Sequence, residues 1–162
     1  MSSWMRGAVI AAGAVGWGVA ASPAAAQVSG YGVVGPAGLS GFYGTSAANG
    51  HVAGGVEGLV GGRIGGQGEF GAIGGSGGLL LVTSANGLVR PAPDGKVSPF
   101  VTGGYTRMSS GEGGFDAWNA GAGADVWLKP RVGLRLEFRD HVRPDPRGTV
   151  HYWTFRAGVS FR

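Results

Sequence analysis

Apolar and polar residues alternate most sharply near the end of the chain. Over residues 131–142, Val132, Leu134, Leu136, Phe138 and Val142 hold even positions. Arg131, Arg135, Glu137, Arg139 and His141 hold odd ones, and only Asp140 breaks the pattern. A helix would mix these sets at 100° per residue, whereas a strand keeps them on opposite faces. Residues 150–162 repeat the arrangement: Trp153, Phe155, Ala157, Val159 and Phe161 oppose Tyr152, Thr154, Arg156, Gly158 and Ser160. Over 116–128, Trp118, the alanines, Val126 and Leu128 oppose Asn119, Gly121, Gly123, Asp125 and Trp127.

Upstream, glycine blurs the signal. Residues 51–60 set Val52, Val56 and Val60 against Ala53, Gly55, Glu57 and Leu59, and residues 63–73 set Ile64, Phe70 and Ala72 against Gln67, Glu69 and Gly71. Residues 98–108 have strand composition, but adjacent Phe100 and Val101 leave their facing open. The apolar run 79–85 has no readable facing, and 28–35 is a plausible first strand. The pattern predicts eight strands, most of roughly 8–12 residues, suited to crossing a bilayer at a tilt.

Turn-like breaks at 61–62, 91–96 and 129–130 alternate with breaks at 35–50, 74–77, 109–114 and 143–149. With the N-terminus in the periplasm, the first set makes periplasmic turns and the second extracellular loops. Tyr105, Trp118, Tyr152 and Trp153 then lie near outer strand ends, and Trp127 and Phe161 near inner ends, as two aromatic girdles require. No solenoid-type repeat shows at a period of 20–50 residues.

Residues 1–26 carry one positive charge at Arg6, an apolar stretch over 7–21, and Ala24-Ala25-Ala26 after Pro23. This is the layout of a cleavable signal peptide, leaving a barrel domain over 27–162. Glycine is 36 of 162 residues, where a usual protein has about 7%. The chain is too apolar and too weakly charged for ordinary disorder, and its glycines lack the every-third spacing of collagen. It has no cysteine, which excludes disulfides and thiolate chemistry.

Alternation alone also fits a soluble barrel with its apolar face inward. The polar faces decide the matter. Glu57, Glu69, Asp125, Arg135, Glu137, Arg139 and Arg156 all lie on them, and acids and arginines nearly balance. A solvated surface needs no balance, but an interior does, because an unpaired buried charge is costly. The same faces are rich in Gly and Ala, which fits a narrow lumen. The expected architecture is therefore an all-β, eight-stranded, antiparallel up-and-down transmembrane barrel. Val132, Leu134, Leu136, Phe138, Trp153, Phe155, Val159 and Phe161 would face lipid, and the seven charged residues would line the lumen.

The segments His51-Val-Ala-Gly-Gly-Val-Glu57, Pro99-Phe-Val-Thr-Gly-Gly-Tyr105, Gly133-Leu-Arg-Leu-Glu-Phe-Arg-Asp-His141 and Phe155-Arg-Ala-Gly-Val-Ser-Phe161 resemble the small bacterial outer-membrane β-barrel family. The architecture is similar to the transmembrane part of OmpA. The resemblance implies an eight-stranded meander inserted by the barrel-assembly machinery, which reads an aromatic residue at the end of the last strand. Here Phe161 is penultimate and Arg162 follows.

Candidate chemistry is sparse. The topology puts His51, His141 and His151 near the extracellular rim with Asp140, and three imidazoles and a carboxylate can hold zinc. Polar residues also belong at a wet rim, and no metal is assigned. Asp140 and a rim histidine with Ser109 or Ser110 would make a hydrolase triad, but no nucleophile motif such as G-x-S-x-G occurs near these residues. Thr102-Gly103-Gly104 sits inside a strand, so phosphate-loop and dinucleotide fingerprints fail. Neither a catalytic residue nor a cofactor is expected.

Net charge is +4, and eight of the 13 basic residues fall in 129–162. Arg135 and Arg139 alternate with apolar residues beside Glu137, which is no open basic patch for nucleic acid. Arg143 and Arg147, in the last loop, are placed to meet lipopolysaccharide phosphate. The sequence thus predicts a non-enzymatic outer-membrane barrel with an envelope-integrity or surface-contact role. The alternatives are a narrow channel and a small-ligand barrel, in the membrane or soluble in the periplasm.

Overall fold

Eight runs of alternating or glycine-spaced residues can satisfy their backbone hydrogen bonds only by pairing sideways, and a closed ring leaves no edge. The computed structural model describes residues 26–41, 44–75 and 78–162, and of residues 26 and 45–48 the backbone alone. The strands are β1 (Ala26–Gly41), β2 (Gly44–Val60), β3 (Ile64–Gly75), β4 (Gly78–Val89), β5 (Val97–Ser110), β6 (Gly113–Lys129), β7 (Val132–Asp145) and β8 (Gly148–Phe161). Each pairs antiparallel with its sequence neighbour, and β8 pairs back onto β1, so the sheet is a closed barrel. The expected signal peptide lies outside the described residues, save the backbone of Ala26, which opens β1.

Strands of 12 to 17 residues exceed the roughly 9–11 needed to cross hydrocarbon, so part of the wall must stand beyond it. The surplus gathers at the end away from the termini, here called the hairpin end. The expected loop over 35–50 is not a loop. β1 and β2 stay in register from Ala26↔Val60 through Ala37↔Asn49, then shift by a bulge and continue to Gly41↔Gly44. Likewise β7 and β8 run through most of 143–149 and meet at Asp145↔Gly148. Small and polar residues dominate these extensions, so no apolar face marks them as strand.

Gly44, Gly78, Gly113 and Gly148 each open a returning strand with positive φ. They recur about every 35 residues, a hairpin period that side-chain similarity does not display. At the terminal end, Gly61 and Gly62 take φ of 58° and 69°, the two positive values a type I′ turn requires.

Glycine occupies both faces of the wall, not mainly the lumen. Inward Gly158 packs so closely that an added Cβ would lie 1.9 Å from the Gly32 carbonyl oxygen. Outward Gly68 has nothing within 4 Å of that position. Gly158→Ala should therefore impair closure of β8 on β1 and cost about 1–3 kcal/mol or more through overpacking. Gly68→Ala should be near neutral. The folded fraction after detergent refolding, read by gel mobility with and without boiling, checks both.

Candidate functional site: two ion rings in the barrel lumen

Strand parity sends the charged side chains inward and the apolar ones outward. Leu134, Leu136, Phe155 and Phe161 are 47%, 58%, 56% and 52% exposed on the outer wall. Val132, Phe138, Trp153 and Val159 share that wall. Arg135 and Arg139 are fully buried, and Glu57, Glu69, Asp125, Glu137 and Arg156 are nearly so.

These charges form two closed rings. In the first, Arg90 reaches Glu57 at 2.9 Å and Asp125 at 2.7 Å, while Arg135 reaches Glu57 at 3.1 Å and Asp125 at 3.2 Å. In the second, Arg139 reaches Glu69 at 3.3 Å and Glu137 at 2.6 Å. Arg156 completes it, reaching Glu69 at 2.7 Å and Glu137 at 2.8 Å. Each ring alternates two guanidiniums with two carboxylates and is neutral. The planar fork of arginine makes this geometry possible, because each guanidinium offers several donors in one plane.

Neutral residues lock the rings in place. The Tyr31 hydroxyl donates to Glu69 at 2.6 Å, and its ring lies 4.1 Å from the Arg135 guanidinium. Phe100 covers Arg135 on a ring centroid 4.4 Å away. Tyr31 thus couples the two rings. Ser29 donates to Glu57 and Ser160 donates to Asp125 at 2.6 Å. Gln67 accepts from Arg139 at 2.7 Å.

Arg90 is the ring member that residue patterning missed. It follows the last residue of β4 and precedes Pro91, between the expected apolar run 79–85 and the expected turn 91–96. Its one sequence signal is parity: Ser84, Asn86 and Leu88 are buried on the same face. With Arg90 included, the near balance of four acids and three arginines becomes equality.

Apolar residues close the lumen beyond the rings. Toward the termini, Leu59, Leu88 and Phe100 pack together. The Arg162 guanidinium lies 4.0 Å from the ring centre of buried Trp127, so the last side chain folds over that mouth. Toward the hairpin end, Ala37, Ile73, Val82 and Met108 form a second apolar layer.

The expected rim cluster of His51, Asp140, His141 and His151 does not assemble. His51 and His141 point into the lumen, 3% and 0% exposed. Asp140 and His151 sit on the outer wall, where His151 Nδ1 is 2.7 Å from an Asp140 carboxylate oxygen. Adjacent strand residues such as 140 and 141 cannot share a face. Among the described residues no group of three or more His, Cys, Asp or Glu could hold a metal ion.

The two loop arginines also separate. Arg143 lies within β7, its guanidinium 4.4 Å from the Phe115 ring centre and 3.7 Å from Asp145. Arg147 stays in the exposed turn, where its backbone N–H donates to Asp145 at 3.0 Å. On the outer wall above the apolar band, Asp116 accepts hydrogen bonds from the Tyr105 hydroxyl and from Arg107, the latter at 2.7 Å. These bonds hold its carboxyl below the usual carboxylate range.

An apolar outer wall around a neutralised ionic lumen, in an eight-stranded closed meander, defines the fold class of small outer-membrane β-barrels. The solved structures agree. Neisserial surface protein A is 12% identical with a TM-score of 0.66, over 84% of this chain and 97% of that one. The N-terminal barrel of Pseudomonas aeruginosa OprF is 13% identical with a TM-score of 0.57, over 82% and 96%. Ail, the attachment invasion locus protein of Yersinia pestis, solved with the heparin analogue sucrose octasulfate, is 14% identical with a TM-score of 0.52, over 83% and 99%. These likenesses establish the fold. No protein-family model and no curated protein sequence matches the chain.

Proposed function

We propose that this chain is an integral outer-membrane protein with a non-enzymatic role in envelope structure or surface contact. One observation carries the reading: two neutral ion rings occupy the lumen while the leucines and phenylalanines of β7 and β8 point outward. A soluble barrel for apolar ligands would need the opposite facing. The termini would lie in the periplasm and the hairpin end outside the cell. Bilayer lipid would cover the outer wall, and Arg147 in the exposed turn between β7 and β8 would meet lipopolysaccharide phosphate. The barrel-assembly machinery would receive β8 through outward-facing Phe161.

Eight strands make an interior just wide enough for side chains to fill, and the rings and their apolar caps support a filled one. The expected result is therefore a protein that extracts only with detergent, shifts gel mobility on boiling and shows no single-channel conductance in planar bilayers. Release by osmotic shock without detergent would overturn the membrane reading. Steady conductance of the intact chain would replace the structural role with a channel.

A further inference from the structure

Charge is distributed unevenly along the barrel axis. The two ion rings are neutral, so the lumen adds nothing to the imbalance. At the hairpin end the ionic side chains pair with one another. Arg107 meets Asp116 at 2.7 Å, Arg143 meets Asp145 at 3.7 Å, and His151 lies 2.7 Å from Asp140. Arg147 and Glu112 remain in the turns, one of each sign. The terminal end differs. Arg63, Lys96, Lys129, Arg131 and Arg162 gather there against one acid, Asp94, and among the described residues none of the five has an ion pair.

Backbone bonds hold these cations around the mouth. The Arg63 carbonyl accepts from the Arg90 N–H at 2.7 Å, and the Lys96 carbonyl accepts from the Trp127 N–H at 2.8 Å. The Arg131 carbonyl accepts from the Arg162 N–H at 3.2 Å. Arg162 itself turns inward over Trp127 and donates to the Pro130 carbonyl at 3.0 Å. Each of the five cations is the chain neighbour of an outer-wall apolar residue: Ile64, Val97, Leu128, Val132 or Phe161. Those residues end the apolar band. A long cationic side chain one residue beyond such a band reaches the level of lipid headgroups.

We infer that this mouth is a docking ring for anionic phospholipid, whose phosphates pair with Arg63, Lys96, Lys129 and Arg131. The inference rests on the membrane reading, which supplies the leaflet, and adds a headgroup class to it. A zwitterionic headgroup brings its own cation and gains little from unpaired ones. An anionic headgroup supplies the missing charge through charge-assisted bonds. Anionic cell-wall polymer has the same sign, but it would not require every cation to border the apolar wall.

The test uses the full barrel in phosphatidylcholine vesicles with a minor fraction of nitroxide-labelled lipid, either phosphatidylglycerol or phosphatidylcholine. The chain has no cysteine, so a fluorophore can be placed by Ala92→Cys in an exposed turn of the terminal mouth, or by Gly111→Cys in the β5–β6 turn. Quenching at 92 should show phosphatidylglycerol enriched about fivefold over phosphatidylcholine, the scale of one lysine or arginine beside an anionic surface. Quenching at 111 should show no preference. About 1 M salt, where the Debye length is about 3 Å, should remove the enrichment at 92. The triple variant Lys96→Gln, Lys129→Gln, Arg131→Gln should do the same at low salt. Removing the paired ions Arg107→Gln and Asp116→Asn should leave it unchanged. The salt arm needs no charge substitution, so a misfolded triple variant does not decide the result. Equal quenching by both lipids at 92, or the same preference at 111, overturns the inference. Equal quenching with saturable binding of soluble peptidoglycan fragments would assign the cations to the cell wall instead. Insertion into vesicles without lipid preference sinks the docking ring alone. Failure to insert sinks the membrane reading and the ring with it.

Discussion

Arg135→Leu will destabilise the folded barrel by about 3–5 kcal/mol, the cost of leaving a buried charge without its partner. Arg135 is fully buried and contacts both acids of its ring, Glu57 and Asp125. Without it those acids share Arg90, and the ring carries a net negative charge. The double variant Arg135→Leu with Asp125→Leu leaves Arg90 facing Glu57, a neutral pair. It should recover a substantial part of the loss, because contacting residues couple. Arg135→Lys should fall between wild type and the single deletion. A lysine is a point charge, and it lacks the flat surface that lies against Tyr31 and Phe100. Urea midpoints read by gel mobility give all three values. A single deletion costing less than its double would remove charge pairing as what holds the lumen together.

Leu136→Arg acts on the opposite face with the next largest effect. Leu136 is 58% exposed, midway along β7 between Val132 and the outward Asp140–His151 pair. An arginine at that depth costs roughly 2–4 kcal/mol, falling to about 0–1 kcal/mol near an interface. Val28→Arg, at the terminal end of β1, should therefore be mild. Cysteine at position 136 should resist a water-soluble maleimide in intact membranes, while cysteine at 147 reacts. Efficient labelling at 136 would put that face in water and end the transmembrane interpretation.

β7 and β8 were legible because their alternate residues differ greatly in polarity. The reading failed where that contrast is missing. Leu79, Leu80, Leu81 and Val82 are all apolar, yet Leu79 and Leu81 are exposed on the wall while Val82 is fully buried in the lumen cap. Phe100 and Val101 are likewise adjacent and alike, but Phe100 is 1% exposed and Val101 53%. Phe100 goes inward because it covers Arg90 and Arg135. Arg90 was hidden because the apolar run 79–85 gave no facing to extend along β4, which continues to Val89. The supposed rim site failed for a different reason. It grouped residues by height along the barrel and ignored parity, which separates Asp140 from His141 and His51 from His151.

The rings also have a history written in chain order. Among their members, strands β1 to β6 and the turn after β4 supply Glu57, Glu69, Asp125 and Arg90, whereas β7 and β8 supply Arg135, Arg139, Arg156 and Glu137. The earlier part is a surplus of anions and the later part a matching surplus of cations. A nascent barrel that lacks its last hairpin is thus electrically unfinished as well as open. Sealing the cylinder and discharging its interior become the same event.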